Sequence, residues 1–399
     1  MRAVFIKVQS QYDATRAFTD ELAGAFARRG FAATVIDAPA EPDLALAFAR
    51  EAAAGPAALV YTVGALGEWR DAQGRSLGAV FGAPHVLQHV DYPLSHLERL
   101  ERTAEDTAIL TVDTTHVHAI ISTFGPTRFA HVAFCPHAAV GQPAQADLDA
   151  FAQRPVPLLF AGSYYGPDVP AWRGGDAAVA AIFDAALEIA LDAEFVPALD
   201  AVDQALRAHG LDPADPNLER LRKLATAVHE QVRCVRRLAF LDAVGAAGLP
   251  LHLAGSGYEG RFDHYPTFNP MGEASLPEVA QLMSVARVVV NINANFGAGS
   301  HERPLTAMLA GAAVASDHSA WWADRFVEDE EILLYRWKDI DGGLARLAAL
   351  VDDPEAAWRM AVAGQRRVTA EHRFDHRADE VLAAAQATRA RRPDLFAAV

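Results

Sequence analysis

A serine, a histidine, a glutamate and an arginine stand in consecutive positions at Ser300, His301, Glu302 and Arg303, directly before Pro304 and the helical run Leu305 to Ala310. Pro304 suits the start of a helix, where a missing N–H is no loss, and Gly311 suits its end. A helix N-terminus presents free N–H groups and a partial positive charge, so it attracts anions. Arg303 adds a full charge with the donor geometry that phosphate oxygens accept, and Glu302 accepts from a sugar hydroxyl. The plain alternative is a helix cap with a surface Glu–Arg pair. The polar, Gly-rich stretch from Asn291 to Gly299 is longer than a cap needs, which favours a ligand loop.

Two further turns have the same character. Gly162 and Ser163 follow the apolar run Val156 to Ala161, and Gly255 and Gly257 follow Leu251 to Ala254. Turns at the carboxyl ends of parallel strands are where α/β proteins hold ligands, and glycine lets a phosphate approach the backbone closely. Each turn taken alone is equally well read as an ordinary strand-to-helix connection. On the helix before Leu251, Arg233, Arg236 and Arg237 read as a solvated basic face. In the first half, His89 and Asp91 follow the run Pro84 to Gln88 and are candidates for a general base. The fifteen histidines form no HExxH or paired Cys/His pattern, so no metal site is expected. Trp321 and Trp322 either stack on a ligand or pack the domain edge, the second being the commoner use. Gln9 to Asp13, after the first strand, lacks the glycine fingerprint of a dinucleotide site, which argues against a dehydrogenase.

These residues need a scaffold of parallel strands. Short apolar runs alternate with Ala-rich helical stretches through the first ~150 residues, the pattern of a doubly wound sheet. Strands are expected at Val4 to Val8, Ala33 to Asp37, Ala58 to Val63, Pro84 to His89, Ala108 to Val112, Ala119 to Ser122 and Phe129 to Phe134. The proline-bearing stretch 142–157 reads as a linker between an N-terminal domain, 1–141, and a C-terminal domain, 158–373, followed by a terminal helix, 374–399, placed back on the first domain. Residues 174–249 read as almost wholly helical, longer than one crossover requires. Strands resume at Leu251 to Ala254, Val288 to Ile292, Ala313 to Ser316 and Glu331 to Tyr335.

With 399 residues, 51% hydrophobic and 22% charged, the chain suits two packed domains and a cleft. Thirty-five Lys and Arg against 51 Asp and Glu give a formal charge of −16, a field that repels nucleic acid and anionic lipid. Anionic ligands must then be held locally. Two cysteines without CxxC spacing, and a first apolar run broken at Lys7, predict a cytoplasmic protein without a signal segment or membrane span.

The stretch Ser300 to Asp317, with its Ala-Met-Leu-Ala-Gly helix, the later Asp353-Pro354-Glu355, and Glu371-His372-Arg373-Phe374 with Arg377, resembles the CgeB-like glycosyltransferases of the GT-B superfamily. Weaker matches are Val90-Asp91-Tyr92-Pro93 and Phe134-Cys135-Pro136-His137-Ala138. The resemblance implies a GT-B fold, two Rossmann-like domains facing a cleft, with a nucleotide-sugar donor site in the C-terminal half and an acceptor side in the N-terminal half. It implies donor contacts from Gly162, Ser163, Gly255, Gly257, Ser300, His301 and Glu302, with Arg303 stabilising the leaving diphosphate without a metal, and no cofactor beyond the donor substrate. Many relatives carry a Glu before the Ala-Met pair where this chain has Thr306, and Ala298 holds the earlier position of the E-x7-E signature. Ribose recognition then falls to Glu302, the Thr306 hydroxyl or backbone groups. The acceptor stays open between protein, glycan and small molecule, and retention or inversion is undecided. A non-catalytic binding protein and a nucleotide-sugar epimerase are the alternatives.

Overall fold

The computed structural model describes residues 1–294 and 296–396. Residue 295, in the ligand loop, and 397–399, the end of the expected terminal helix, lie outside the described residues. The chain divides into two compact units, Met1–Val140 with His372–Val399, and Gly141–Glu371.

The first unit is built on six parallel strands: β1 (Arg2–Lys7), β2 (Ala32–Asp37), β3 (Val60–Val63), β4 (His85–His89), β5 (Thr107–Thr111) and β6 (His131–Phe134). They run in the order β2-β1-β3-β4-β5-β6. Every residue of β3, β4 and β5 is buried, as strands covered by helices on both faces must be. The connecting helices are α1 (Ala14–Arg28), α2 (Leu44–Ala53), α3 (Leu77–Phe81), α4 (Leu97–Arg102) and α5 (Thr114–Phe124). Part of the core joins Val4 and Ile6 of β1 to Phe48, Val60, Leu77 and Phe81.

The expected strand Ala119 to Ser122 is the middle of α5. Its Ile-Ile-Ser-Thr run favours a strand locally, but Asp113 overrides it. The Asp113 carboxylate caps the helix by accepting from the Thr115 N–H at 2.7 Å and the Thr115 hydroxyl at 2.6 Å, and Gly125 ends the helix.

The second unit starts with α6 (Leu148–Ala152) and β7 (Val156–Ala161), so 142–157 belongs to this unit. After β7 come α7 (Ala177–Asp192), α8 (Ala198–Ala208), α9 (Glu219–Lys223) and α10 (Ala225–Ala246). This helical insert has its own core, including Trp172, Ile182, Phe183, Val202, Leu206 and Val228. The sheet continues through β8 (Leu251–Ala254), β9 (Phe268–Gly272), α11 (Leu276–Ser284), β10 (Ala286–Asn291), α12 (Glu302–Leu309), β11 (Ala313–Asp317), α13 (Ala320–Arg325) and β12 (Leu333–Tyr335). Two helices follow, α14 (Ile340–Asp352) and α15 (Pro354–Glu371). The strand order is β12-β11-β10-β7-β8-β9. Counted within the unit this is 3-2-1-4-5-6 read from the other edge, the Rossmann order, whose direction reverses between β7 and β10.

The last helix, α16 (Phe374–Arg391), returns to the first unit. Arg28 at the end of α1 and Arg29 just after it pair with Asp375 and Asp379 on α16, and Ala139 N–H donates to His372 O at 2.8 Å. Among the described residues no helix is long and apolar enough to cross a membrane.

Candidate anion site at the switch point of the second sheet

In an open α/β sheet the ligand crevice lies beyond the carboxyl ends of the strands flanking the reversal point. Here those strands are β7 and β10, which pair in parallel through Leu159 and Val289. β7 ends in Gly162-Ser163, and β10 leads into the loop that ends at α12.

Three consecutive carbonyls at the end of β7 are each taken by a different side chain. Arg303 Nη1 donates to Ala161 O, Tyr258 Oη donates to Gly162 O at 2.8 Å, and Arg237 Nη1 donates to Ser163 O. The turn is thereby locked, and the two guanidinium groups are held on carbonyls of the same turn. A Cβ at Gly162 would come within 2.5 Å of Arg303 Nη1, and one at Gly255 within 2.5 Å of Gly162 O. At Gly257, with φ +86°, a Cβ would overlap the Tyr164 carbonyl. The β8 turn therefore presses directly on the β7 turn, and Ser256 N–H donates to Ser163 Oγ at 3.1 Å.

The loop side supplies the rest. α12 begins at Glu302, two residues earlier than Pro304 suggests, and Pro304 still lies in the first turn, where N–H groups have no helical partner. His301 is the N-cap: its Nδ1 accepts from the Arg303 N–H at 3.4 Å and from Arg303 Nε at 3.2 Å when unprotonated, and pairs with the adjacent Glu302 carboxylate when protonated. Ser300 is fully buried, and among the described residues its Oγ has no hydrogen-bond partner. Thr306, 1% exposed, is covered within α12.

The electrostatics favour an anion. Arg303 keeps a partial opening to solvent, yet the surrounding protein desolvates it enough to draw its pKa down to about 10; Glu302 opposes that shift and Arg237 adds to it. Arg237 is buried and lowered by desolvation, with no carboxylate paired to it among the described residues. Glu302 offsets part of the charge at Arg303, and the uncompensated cation at Arg237 leaves a site that an anion such as a diphosphate would complete.

Arg236 and Arg237 are thus corrections to the solvated basic face: both are buried. Their sequence signal is the apolar helix spacing around them, with Val232, Phe240 and Leu241 on the same buried side. Arg236 is structural, donating to Glu194 O, Ala190 O and Ala193 O at 2.9, 3.1 and 2.6 Å. Trp321 and Trp322 are core, packed edge to face at 4.8 Å.

His89 and Asp91 lie in the first unit, after β4. His89 is 1% exposed, its pKa is pushed by burial down to about 3, and neither ring nitrogen has a partner among the described residues. Asp91 is exposed, with His96 Nε2 3.5 Å from its Oδ2. No three His, Cys, Asp or Glu side chains among the described residues are grouped to hold a metal ion.

The two Rossmann-like sheets define the class: the fold is GT-B, with the candidate anion site at the switch point of the second sheet. Residues 236–383 match the model of a family described as glycosyl transferase-like. That stretch starts at Arg236 and contains Arg237, the β8 turn and α12.

Among solved structures, the chain is similar to an α-glucosyltransferase in complex with UDP and a 13-mer DNA containing an HMU base (TM-score 0.54, 9% identity, 96% of this chain and 99% of that one). It is also similar to HepE of Anabaena in complex with UDP and glucose (TM-score 0.52, 11% identity, 96% and 98% covered). Sucrose-phosphate synthase from Thermosynechococcus elongatus is a third (TM-score 0.52, 14% identity, 95% and 96% covered). No curated protein sequence matches the chain. The family match bears out the expected enzyme class, glycosyltransferase, and the solved structures bear out the expected fold. The narrower CgeB-like resemblance rests on its motifs alone.

Proposed function

We propose that the chain transfers a sugar from a nucleoside diphosphate sugar to an acceptor hydroxyl, with Arg237 and Arg303 receiving the leaving diphosphate. The bond between the anomeric carbon and the β-phosphate oxygen breaks, and its electron pair leaves with the diphosphate. The acceptor oxygen bonds to the anomeric carbon and its proton is given up. The observation that carries this reading is the pair of desolvated guanidiniums pinned on the carbonyls of Ala161 and Ser163 at the switch point. They stand ready for charge that grows as the bond breaks, so no reorganisation is required at that moment. The N–H groups opening α12 and the Ser300 hydroxyl complete the donor cradle, with Gly162, Gly255 and Gly257 allowing close approach.

In this reading the positive charge needed is the protein's own, so the reaction requires no divalent cation. UDP is the first nucleotide to test, since HepE and the α-glucosyltransferase are described in complex with UDP. Thr306 is nearly as buried as Ser300, and the ribose contact falls to Glu302, to the Thr306 hydroxyl or to backbone groups. On the acceptor side, if the reaction inverts, Asp91 with His96 is the base; His89, neutral and enclosed, supports that loop from behind. Cys135 and Cys234 are both unpaired and buried, in keeping with a reducing, cytoplasmic setting.

The test is calorimetry with a panel of nucleoside diphosphates, then product analysis with the matching sugar donors. Arg303→Ala is expected to abolish transfer and weaken nucleotide binding. Failure of the wild-type protein to bind any nucleoside diphosphate sinks the reading. Binding without release of diphosphate from any donor indicates a non-catalytic protein, and donor conversion without acceptor indicates an epimerase.

A further inference from the structure

The helical insert α7 to α10 is longer than a crossover needs, and the connector between α7 and α8, residues 193–197, reaches the ligand loop. The Phe195 ring lies so close to Gly297 that a Cβ there would overlap it. Gly297 does not have a left-handed φ, so the ring, and not the backbone conformation, is what demands glycine. A second line runs to the start of the same loop. Glu194 accepts from the N–H groups of Trp337 at 3.1 Å and Lys338 at 3.3 Å. The Trp337 indole N–H donates to Asp317 Oδ2 at 3.3 Å, and Asp317 Oδ1 accepts from the Asn293 N–H at 2.7 Å. Arg236 ties the lines together, its guanidinium on the carbonyls of Ala190, Ala193 and Glu194 and 5.0 Å from the centre of the Trp337 ring.

We infer that the insert is a strut that positions the donor loop, with Phe195 a positioning residue that acts on nucleotide binding through Gly297. Among its described residues, the loop between β10 and α12 has no helix or strand of its own to define it. Ala320 N–H donates to Gly297 O at 2.8 Å and Ser319 Oγ to Gly299 O at 3.0 Å; the connector adds one direct contact, Phe195 on Gly297, and one relayed through Trp337 and Asp317. The adjacent residues Arg236 and Arg237 divide the work: one holds the connector, the other the Ser163 carbonyl of the anion site. A site of this kind binds tightly only when such support is rigid, and the insert's separate core provides that rigidity.

The inference rests on the donor-site reading above. The experiment compares wild type, Phe195→Ala, Phe195→Leu, Gly297→Ala and the double variant Phe195→Ala/Gly297→Ala. For each, the Kd for UDP is measured by calorimetry, amide exchange is followed across 292–301, and melting is recorded. Phe195→Ala and Gly297→Ala are each expected to raise Kd about tenfold and to speed loop exchange. In the double variant the methyl at 297 enters the space vacated by the ring, so Kd returns to within about threefold of wild type. Phe195→Leu retains most of the affinity. Wild-type Kd and loop exchange in Phe195→Ala overturn the inference, as do single effects that multiply in the double variant. If the wild-type protein does not bind UDP or any other nucleoside diphosphate, the donor-site reading fails, and the loop exchange rates alone still decide whether Phe195 holds the loop.

Discussion

Replacing Arg237 with methionine separates a binding role from a structural one. Arg237 is 7% exposed and lowered in pKa by burial, and among the described residues it has no carboxylate partner. An unpaired buried cation costs several kcal/mol even after relaxation, so its removal returns part of that. Against this, Ser163 O loses its donor, and a buried carbonyl left unsatisfied costs about 1–3 kcal/mol. The two terms oppose each other, so net stability changes by no more than about 2 kcal/mol, or roughly 4–8 °C in Tm for a unit of this size. Binding has no such compensation. A charge-assisted hydrogen bond to phosphate is worth about 1.5–3 kcal/mol, which raises Kd by about 10- to 150-fold. Calorimetry with the nucleoside diphosphate that binds wild type, beside a thermal melt, measures both. A large fall in Tm with unchanged Kd refutes the reasoning and makes Arg237 purely structural.

Gly257→Ala puts a left-handed alanine against the Tyr164 carbonyl, at a cost of about 1–2 kcal/mol for the backbone and ~1–3 for overpacking; a lower Tm and weaker nucleotide binding together are expected. Asp317, 2% exposed, has its pKa raised by burial from 3.8 to about 7. Its folded form therefore holds the proton more tightly, and at 1.36 kcal/mol per pH unit up to about 4 kcal/mol of stability, present below about pH 4, is lost as pH rises through 7. His85 and His89, drawn by burial from 6.5 down to about 3, have the opposite sign: their contribution is full above pH 6.5 and is lost as pH falls toward 3. Amide protection factors, which take out the intrinsic pH dependence of exchange, should accordingly fall in β10 and β11 on alkalinisation and in β4 on acidification, and a change in the same direction in both would contradict the assignments. Chelator treatment should leave transfer unchanged, and restoration of lost activity by added magnesium or manganese would overturn metal independence.

The doubly wound pattern was readable because parallel strands buried on both faces appear as apolar runs, and β1, β5 and β7 all carry one. β9 was not, because Phe268-Asn269-Pro270-Met271-Gly272 carries a proline and a glycine and lies at an edge where burial does not select side chains. α5 was misread because strand propensity at Ile120 and Ile121 outweighed a cap that only an Asp–Thr geometry reveals. Gly162, Gly255, Gly257 and Arg303 are legible as candidates, and the fold brings them together at the switch point, because each follows or precedes a regular element in a way that exposes backbone. Arg237 was hidden by its neighbours: in a run of three arginines on one helix, only the tertiary fold decides which faces inward. His89 shows the converse. A histidine after a strand invites a catalytic role, and its enclosure by the surrounding chain is invisible in the spacing.

The route of the chain through its two units has a consequence for synthesis. The first unit is interrupted after Val140 and resumes at His372, so α16, which packs on α1, leaves the ribosome only after the whole of Gly141–Glu371. At ~5–20 residues per second, that leaves roughly 12–50 seconds in which the first sheet lacks one of its covering helices. The later-made unit, being continuous, can be the first to complete its fold, and the nascent N-terminal half is the part most exposed to chaperones in the meantime.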